Sequence, residues 1–325
     1  MKRMLLVVVA VAALLIYIQS TGSASGWLFG KGDAPHIEAK SAILIDANTG
    51  QTIFAQGANK ALPPASMSKL MTELIVLETV RAGKLGWKDQ VTVSAYAAGV
   101  PGAGAGLRGG EHRTVKELFE SMAVHSANDA AVALAERIGG SERQFVALMN
   151  EKAKAIGLSE STKFANATGL SSSDLMGYGE SSAAEGETAM TARDVALLAR
   201  HMIRSYPEVL AITSRAAVGS NRNIADDAKL RTTNLMLPGE RFAYPGSDGL
   251  KTGYTERAGY CFTGTTARGG TRLIAVVMGA DSADGRFIET ERLYDLGFGE
   301  KKGAGNKLAA GISRLFLAFV PSRSV

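Results

Sequence analysis

The spacing of hydrophobic residues changes along the chain and separates a hairpin from a helix near the beginning. Two short apolar stretches, 41–46 and 51–56, flank a turn that contains Asn and Gly, which predicts a β-hairpin. Apolar residues then recur at helical spacing from 70 to 80. Two prolines precede this run, so the pattern predicts a buried helix that begins near Ser66.

The middle of the chain is mainly helical by its pattern. The predicted helices cover 114–124, 128–138, 144–156 and 191–202. Thr114 and Glu117 have the spacing of a capping box at the start of the first of these helices. Residues 157–190 are rich in Ser, Gly, Thr and Glu, which predicts a long surface loop of the kind that often has a functional role.

A glycine-rich stretch, 99–110, contains the spacing G-x-G-x-x-G, which is typical of dinucleotide-binding folds. Pro101 and Gly102 interrupt the chain just before it, and no strand–helix–strand spacing follows. We therefore interpret this stretch as a flexible surface loop and predict no dinucleotide site there.

The last third of the chain is typical of a β-sheet. Strands are predicted over 249–254, 260–266 and 271–278, with short glycine-containing connections that favour antiparallel neighbours. The interval 289–296 returns to helical spacing and predicts a final helix.

Composition narrows the classes of function. The 325 residues are 46% hydrophobic and 21% charged, which is enough for one large globular domain or two smaller ones. The one cysteine, Cys261, excludes an intramolecular disulfide. The four histidines form no cluster at metal-ligand spacing, so we expect no metal and no cofactor. The net charge of +5 comes without a basic patch interleaved with aromatic residues, so no nucleic-acid partner is expected.

Residues 1–24 have the pattern of an export signal. Lys2 and Arg3 precede an apolar core over 5–18, and small residues follow at a suitable cleavage point. The core is shorter than the roughly 20 residues of a membrane span, although an uncleaved anchor is the alternative. We expect a periplasmic or otherwise extracytoplasmic protein, with attachment to the outer face of the cytoplasmic membrane as a further option.

The interval 301–325 is a basic amphipathic tail. It contains five cationic residues and no acidic residue, and its apolar residues from 308 to 319 recur on one side of a helix. This pattern suits a helix that lies in a membrane interface, so we expect peripheral membrane contact through the tail. The alternative is a helix packed against the domain.

Catalytic chemistry is first indicated by Ser66 and Lys69, which stand three residues apart and therefore on one face of a helix. A serine hydroxyl becomes a good nucleophile when a base removes its proton, and a buried, neutral lysine can act as that base. The pair alone is weak evidence, because a capping serine followed by a surface lysine gives the same spacing.

Two further motifs follow in the chain. Ser126 and Asn128 lie at the junction between two predicted helices, and Lys251, Thr252 and Gly253 lie on a predicted strand. With the Ser-x-x-Lys pair, these motifs resemble those of the serine penicillin-recognising enzymes, and most closely the low-molecular-mass penicillin-binding proteins, which are D-alanyl-D-alanine carboxypeptidases. The similar stretches are 41–56, 63–72, 109–128, 166–170, 190–196 and 248–260.

The resemblance covers roughly residues 36–300 and implies a fold. We expect an α+β domain of the β-lactamase/transpeptidase type, with an antiparallel sheet, helices packed on it and a mainly helical subdomain. The active site would lie between the two parts. Most relatives carry a second, β-rich domain followed by a membrane-binding helix, and we expect this sequence to be too short for that domain.

The resemblance also implies roles for the catalytic residues. Ser66 would attack the carbonyl of the penultimate D-Ala, and Lys69 would act as its base. Ser126 would pass a proton to the leaving D-Ala amine. Asn128 would hold the substrate amide and orient Lys69.

The remaining site residues would bind substrate. Lys251 would add positive charge, and Thr252, followed by Gly253 in the same motif, would bind the terminal carboxylate. Tyr254 would contribute its backbone N–H, with that of Ser66, to an oxyanion hole. Arg286 resembles the family's carboxylate-binding arginine, although a surface ion pair is an equal alternative for this residue. The implied partners are a peptidoglycan stem peptide ending in D-Ala-D-Ala and β-lactam antibiotics as inhibitors.

Three alternative functions remain open on the sequence. A class A β-lactamase has the same fold, but it deacylates with a loop glutamate that is followed four residues later by asparagine. No glutamate between Asn128 and Lys251 has an asparagine at that position, so a penicillin-inhibited peptidase is favoured. A DD-endopeptidase would use the same residues, whereas the intact motifs argue against a non-catalytic peptidoglycan-binding protein.

Overall fold

A computed structural model describes residues 35–178, 186–219 and 230–299. The predicted export signal, 1–24, and the predicted basic tail, 301–325, lie outside these residues. The strands are β1 (Ala39–Asp46), β2 (Thr52–Gln56), β3 (Gln90–Thr92), β4 (His112–Thr114), β5 (Ala217–Val218), β6 (Leu230–Arg231), β7 (Ser247–Thr255), β8 (Gly259–Arg268) and β9 (Thr271–Ala280). The helices are α1 (Lys69–Arg81), α2 (Ala95–Gly99), α3 (Val115–His125), α4 (Asn128–Gly139), α5 (Glu142–Ala155), α6 (Ala192–Ser205), α7 (Leu210–Thr213) and α8 (Gly285–Phe298).

A five-stranded antiparallel sheet in the order β2-β1-β9-β8-β7 forms the centre of the domain. The predicted hairpin is β1 with β2, and the three strands predicted from the last third are β7, β8 and β9. Because β7 stands at the end of this order, one of its edges pairs with β8 and the other is available to the site. The expected α+β fold is thus confirmed.

The central strand β9 shows why the sheet is covered on both faces. Its residues alternate between two hydrophobic clusters, since successive side chains of a strand point to opposite faces. Leu273, Ala275 and Val277 pack in the cluster that contains Phe287 and Tyr294 of α8, whereas Ile274, Val276 and Met278 pack in the larger cluster with α1 and α6. The sheet therefore separates α8 from the helical side of the molecule.

The helical subdomain consists of α3, α4 and α5 packed around α1. The Thr114–Glu117 capping box is present at the start of α3. α8 begins at Gly285, earlier than the predicted start at 289. Its first turn is held by Ser282 and Asp284, which accept hydrogen bonds from the N–H groups of Gly285 and Phe287, so hydrophobic spacing did not reveal it. Among the described residues, no helix has both the length and the apolar character needed to cross a membrane.

The helix predicted to begin near Ser66 begins later. Residues Ala65–Ser68 form a 3-10 turn, and the α-helix starts at Lys69. Ala65 has a φ of +49°, which is incompatible with α-helical geometry and accounts for the tighter turn. Ser66 therefore lies in the turn that leads into α1 rather than in its first α-helical turn.

Two predicted surface loops are more firmly attached than expected. The glycine-rich stretch after α2 is held by the Asp129 carboxylate, which accepts hydrogen bonds from Ala105 N at 2.9 Å and Leu107 N at 3.0 Å. Within the long loop before α6, residues 165–169 are buried, because the Asn166 side chain satisfies the polar backbone groups there. Both loops thus approach the predicted site.

Candidate active site

Ser66 is presented by a strained backbone turn. Residue 65 carries the positive φ described above, and an alanine rarely adopts that conformation without compensation elsewhere. Ser66 itself is half-buried, with its Oγ 2.8 Å from Lys69 Nζ. The turn therefore places the hydroxyl against the amine of the residue that begins α1.

Lys69 is fully buried, and its amine has three hydrogen-bond partners. In addition to Ser66 Oγ, Nζ lies 2.6 Å from Asn128 Oδ1 and 2.9 Å from the carbonyl oxygen of Thr168. Burial, and then the positive charge of Lys251, lower the pKa of Lys69 well below its ordinary value. Both effects shift the balance of Lys69 from the ammonium toward the neutral amine.

The three partners suit a neutral amine. Asn128 Nδ2 donates to the Pro101 carbonyl at 2.7 Å, which fixes the amide so that its oxygen faces Lys69. Asn128 Oδ1 and Thr168 O can only accept, so together they use both N–H groups of a neutral amine. The nitrogen lone pair is then left for the Ser66 hydroxyl, as general-base catalysis requires.

Ser126 lies at the C-terminal cap of α3 with a φ of +67°. The left-handed conformation turns the chain sharply, and Asn128 follows two residues later at the start of α4. The Ser126 side chain is buried, and its Oγ makes no hydrogen bond within the described part of the chain. The junction thus brings Asn128 directly to Lys69 and leaves the Ser126 hydroxyl without a fixed partner.

Strand β7 forms the wall opposite the Ser66 turn. A methyl group added to Gly253 would lie 2.7 Å from Pro64 O and 3.1 Å from Ser66 N, so only glycine permits this approach. Lys251 is fully buried, with Nζ donating to Thr252 O at 3.0 Å. Burial lowers the pKa of Lys251, the charge of Glu73 raises it, and that of Arg286 lowers it further.

The other predicted substrate-binding residues lie along the same strand. Thr252 Oγ1 donates to Thr233 Oγ1 at 2.6 Å. Tyr254 is 50% exposed and stacks on Tyr260 with ring centroids 4.3 Å apart. Tyr254 therefore lines the open edge of the site, whereas Thr252 is buried beside Gly253.

Arg286 on α8 also reaches this strand, where its Nη1 donates to Gly253 O at 3.3 Å. It makes no salt bridge with any described residue, and the neighbouring Asp284 pairs with Arg241 instead. The surface ion pair that the sequence left open for Arg286 is therefore absent from the described residues. Its guanidinium remains close to the Lys251–Gly253 segment.

Sequence reasoning missed three contributors to this arrangement. Thr168 supplies a backbone carbonyl to Lys69, although its segment was noted as similar to the family without a role. Thr233 supports Thr252, and no spacing in the sequence indicates that contact. Glu73 is buried one helical turn beyond Lys69, and its i+4 spacing from the lysine was the available signal.

A family model described as D-alanyl-D-alanine carboxypeptidase matches residues 30–282, which is most of the chain. The chain belongs to the D-alanyl-D-alanine carboxypeptidase family. Within this family, it is 38% identical over 263 residues to D-alanyl-D-alanine carboxypeptidase DacF of Bacillus subtilis, a match that covers 81% of this chain and 63% of DacF. The chain thus spans less than two thirds of the length of that relative.

Solved structures of penicillin-binding proteins have the same fold as this D-alanyl-D-alanine carboxypeptidase family member. Penicillin-binding protein D2 of Listeria monocytogenes in its ampicillin-bound form superposes with a TM-score of 0.67 at 35% identity, covering 82% of this chain and 99% of that chain. A peptidoglycan synthesis regulatory factor (PBP3) of Streptococcus pneumoniae gives a TM-score of 0.74 at 35% identity, covering 80% of this chain and 73% of that chain.

Proposed function

We propose that the protein is a serine D-Ala-D-Ala carboxypeptidase that removes the terminal D-Ala from peptidoglycan pentapeptides. The observation that carries this proposal is the environment of Lys69 Nζ, with two pure acceptors and the Ser66 hydroxyl within hydrogen-bond distance. A serine activated by a neutral lysine is an arrangement suited to acyl transfer. Membership of the family supports the same substrate class.

In the proposed acylation, the Ser66 Oγ–H proton moves to Lys69 Nζ as Oγ attacks the carbonyl carbon of the penultimate D-Ala. The backbone N–H groups of Ser66 and Tyr254 stabilise the oxyanion of the tetrahedral intermediate. Support for this role comes from the close approach of β7 to the Ser66 turn at Gly253. When this intermediate collapses, the bond between the carbonyl carbon and the nitrogen of the terminal D-Ala breaks, and the acyl group stays on Ser66 as an ester.

The leaving D-Ala amine takes a proton from Ser126, which regains from Lys69 the proton that Lys69 took from Ser66. The terminal carboxylate of the substrate is held by Thr252 and by the positive charges of Lys251 and Arg286. All three groups lie on β7 or in contact with it. Water then hydrolyses the acyl-enzyme, which restores the Ser66 hydroxyl and releases the shortened peptide.

A β-lactam would acylate Ser66 through the same steps. Its amide lies within a ring, so the leaving nitrogen stays attached to the acyl group and cannot diffuse away. The glutamate–asparagine spacing of class A deacylation is absent from the sequence between Asn128 and Lys251. We therefore infer long-lived inhibition by penicillin rather than β-lactamase activity.

We propose further that the protein acts outside the cytoplasm. The basic and apolar pattern of 1–24 supports export, and the cationic amphipathic pattern of 301–325 supports attachment to a membrane surface. Removal of residues 303–325 should release the protein from the membrane fraction and leave peptidase activity on a soluble pentapeptide intact. A truncated protein that unfolds would instead indicate that the tail packs on the domain.

Two measurements on the full chain test the enzymatic proposal. Incubation with a pentapeptide ending in D-Ala-D-Ala should release free D-Ala, and mass spectrometry after penicillin treatment should find one adduct, on the peptide containing Ser66. Ser66→Ala should abolish both, whereas Ser205→Ala, a substitution at the end of α6, should change neither. An adduct that persists in Ser66→Ala would contradict the assignment.

A further inference from the structure

Glu73 is a fully buried acidic residue on the helix that begins with Lys69. It stands four residues after the lysine, on the same face of α1, and it is 0% exposed. Within the described residues, neither of its carboxylate oxygens has a hydrogen-bond partner. A buried carboxylate is costly unless opposite charge compensates it. The helix is apolar around this position, with Met71 and Leu74 fully buried, so packing alone does not require an acid there.

The groups that compensate Glu73 are the two lysines of the site. Lys251, from β7, acts on it most strongly among the charges, followed by Lys69 from its own helix. Two further charges act on the lysines: Asp129 of α4 on Lys69, and Arg286 of α8 on Lys251. Glu73 is thus the acidic residue that acts on both lysines of this buried cluster.

We propose that Glu73 is a positioning residue for acylation, acting as the buried counter-charge of Lys251 and Lys69. In the resting site one positive charge, on Lys251, is balanced by the Glu73 carboxylate. When Lys69 takes the proton from Ser66, a second positive charge appears beside the first, and the same carboxylate stabilises it. Glu73 is fully buried and makes no hydrogen bond to Ser66, so it acts through the lysines. This inference rests on the proposed function of Ser66 and Lys69.

The electrostatics of the cluster give the direction of its effect on pH dependence. Burial raises the pKa of Glu73 to about 7, although the positive charges of Lys251 and Lys69 act in the opposite direction. Conversely, the Glu73 charge raises the pKa of each lysine against the effect of burial. Acylation needs Lys69 neutral and Lys251 charged, so the acid limb follows Lys69 and the alkaline limb follows Lys251. The pKa of Lys251 is about 8, so Glu73 is ionised where the alkaline limb falls, and removing the carboxylate should move that limb to lower pH.

The experiment measures the rate constant of acylation by a fluorescent penicillin between roughly pH 5 and pH 10, on the full chain. In Glu73→Gln the alkaline limb should shift down by about one pH unit, the acid limb should stay nearly in place, and acylation at the optimum should be about ten-fold slower. Glu73→Met is a second neutral variant, suited to the apolar surroundings of α1. Glu73→Asp keeps a carboxylate and should bring the alkaline limb back toward that of the unaltered protein.

The matched control is Glu78→Gln. Glu78 lies on the same helix but pairs with Lys152 at 2.7 Å, away from the site, so its removal should leave the pH profile unchanged. With a soluble D-Ala-D-Ala peptide, Glu73→Gln should lower kcat and leave KM nearly unchanged, because substrate does not contact Glu73.

The outcomes separate this inference from the proposed function. If the unaltered protein is not labelled on Ser66, the proposed function fails. If it is labelled and either neutral variant folds with an unshifted profile, the role of Glu73 fails alone. If both neutral variants fail to fold, Glu73 is a structural residue and the inference is likewise overturned.

Discussion

Asn128 and Lys69 are 59 residues apart in sequence and share a hydrogen bond of 2.6 Å between Oδ1 and Nζ. The other end of the amide donates to Pro101 O, so one side chain ties the helix junction to the glycine-rich loop and to the base. The amide can make both contacts because it carries an acceptor and a donor in one plane. This double contact makes Asn128 sensitive to substitutions that preserve its shape.

Asn128→Asp should slow penicillin acylation by about 100-fold or more. A carboxylate beside Lys69 would stabilise the ammonium and raise its pKa, so the acid limb of the rate profile should move to higher pH. It would also lose the donor to Pro101. The measurement is the acylation rate constant as a function of pH.

The control for that substitution is Asn59→Asp, at an exposed position whose side chain accepts from Arg193 Nε at 2.8 Å. It adds the same negative charge away from the site and should leave the profile unchanged. An Asn128→Asp protein with an unaltered acid limb would mean that Asn128 does not control the charge of Lys69.

Lys69→Arg should be almost inactive in acylation, with a loss of about 1,000-fold, because arginine keeps the charge but cannot give up its proton near neutral pH. In the unaltered protein, the pKa of Lys69 is well below its ordinary value, first because of burial and then because of Lys251. The rate should therefore rise as pH increases through this lowered pKa.

Stopped-flow or gel-based labelling with a fluorescent penicillin measures both effects. Lys60→Arg, at an exposed position, is the matched control and should behave like the unaltered protein. Substantial acylation by Lys69→Arg would require a different base for Ser66.

Gly169→Ala should destabilise the domain by about 3–5 kcal/mol. A methyl group there would lie 2.0 Å from Ala65 O and 2.4 Å from Ser68 Oγ, and the backbone φ of +80° favours glycine. The substitution should push the Thr168 carbonyl away from Lys69 as well, so residual folded protein should acylate slowly. Urea denaturation measures the change in the free energy of unfolding.

Gly157→Ala distinguishes the effect of backbone strain from the effect of the steric clash. Gly157 has nearly the same φ, +78°, but an added methyl group would meet no atom within 4 Å. Only the backbone strain should remain, at about 1 kcal/mol, with normal penicillin labelling. Equal losses in the two variants would show that the close contact with Ala65 is unimportant.

Asp194→Asn should lower the free energy of unfolding by about 2–3 kcal/mol at neutral pH. The carboxylate accepts hydrogen bonds from Ser159, Thr162 and Thr191, which join the long loop to the start of α6. Burial alone would raise the pKa of Asp194, but these hydrogen bonds outweigh it and lower the pKa below its ordinary value.

Because the pKa of Asp194 is lowered on folding, its contribution to stability depends on pH. A carboxylate with a lowered pKa in the folded state contributes stability above its pKa in the unfolded chain, near 4, and loses it as pH falls through the folded-state pKa. The difference between the two proteins, measured by urea denaturation, should therefore shrink in acid. A difference that stays constant down to roughly pH 2 would contradict this account.

Most of the fold could be predicted from the sequence because its elements have regular periods. The hairpin of β1 and β2 and the strongly apolar β9 followed directly from residue spacing. The 3-10 turn at Ser66 could not be predicted, because it depends on the left-handed backbone at Ala65, a residue without such a preference. The early start of α8 depends on the Ser282 hydroxyl and the Asp284 backbone carbonyl, which accept hydrogen bonds from its first turn, rather than on apolar spacing.

In the candidate site, too, some residues could be predicted from the sequence and others could not. Short motifs pointed to Ser66, Lys69 and Asn128, and the structure brings these three side chains into contact. The Thr168 carbonyl escaped prediction because every residue has one, so nothing in the sequence distinguishes it. Glu73 escaped because a carboxylate at helical spacing from a lysine is commonly a surface pair, and only the folded structure reveals its burial.

The hydrogen bonds of Lys69 join distant parts of the chain, with 59 residues to Asn128 and 99 residues to Thr168. Contacts of such high sequence separation form late in folding, since closing long loops costs entropy before the contact compensates it. During refolding from urea, helical circular dichroism should therefore return before the capacity to bind penicillin covalently. The amount of covalently bound penicillin would therefore measure the fraction of molecules in which Lys69 has reached both Asn128 and Thr168.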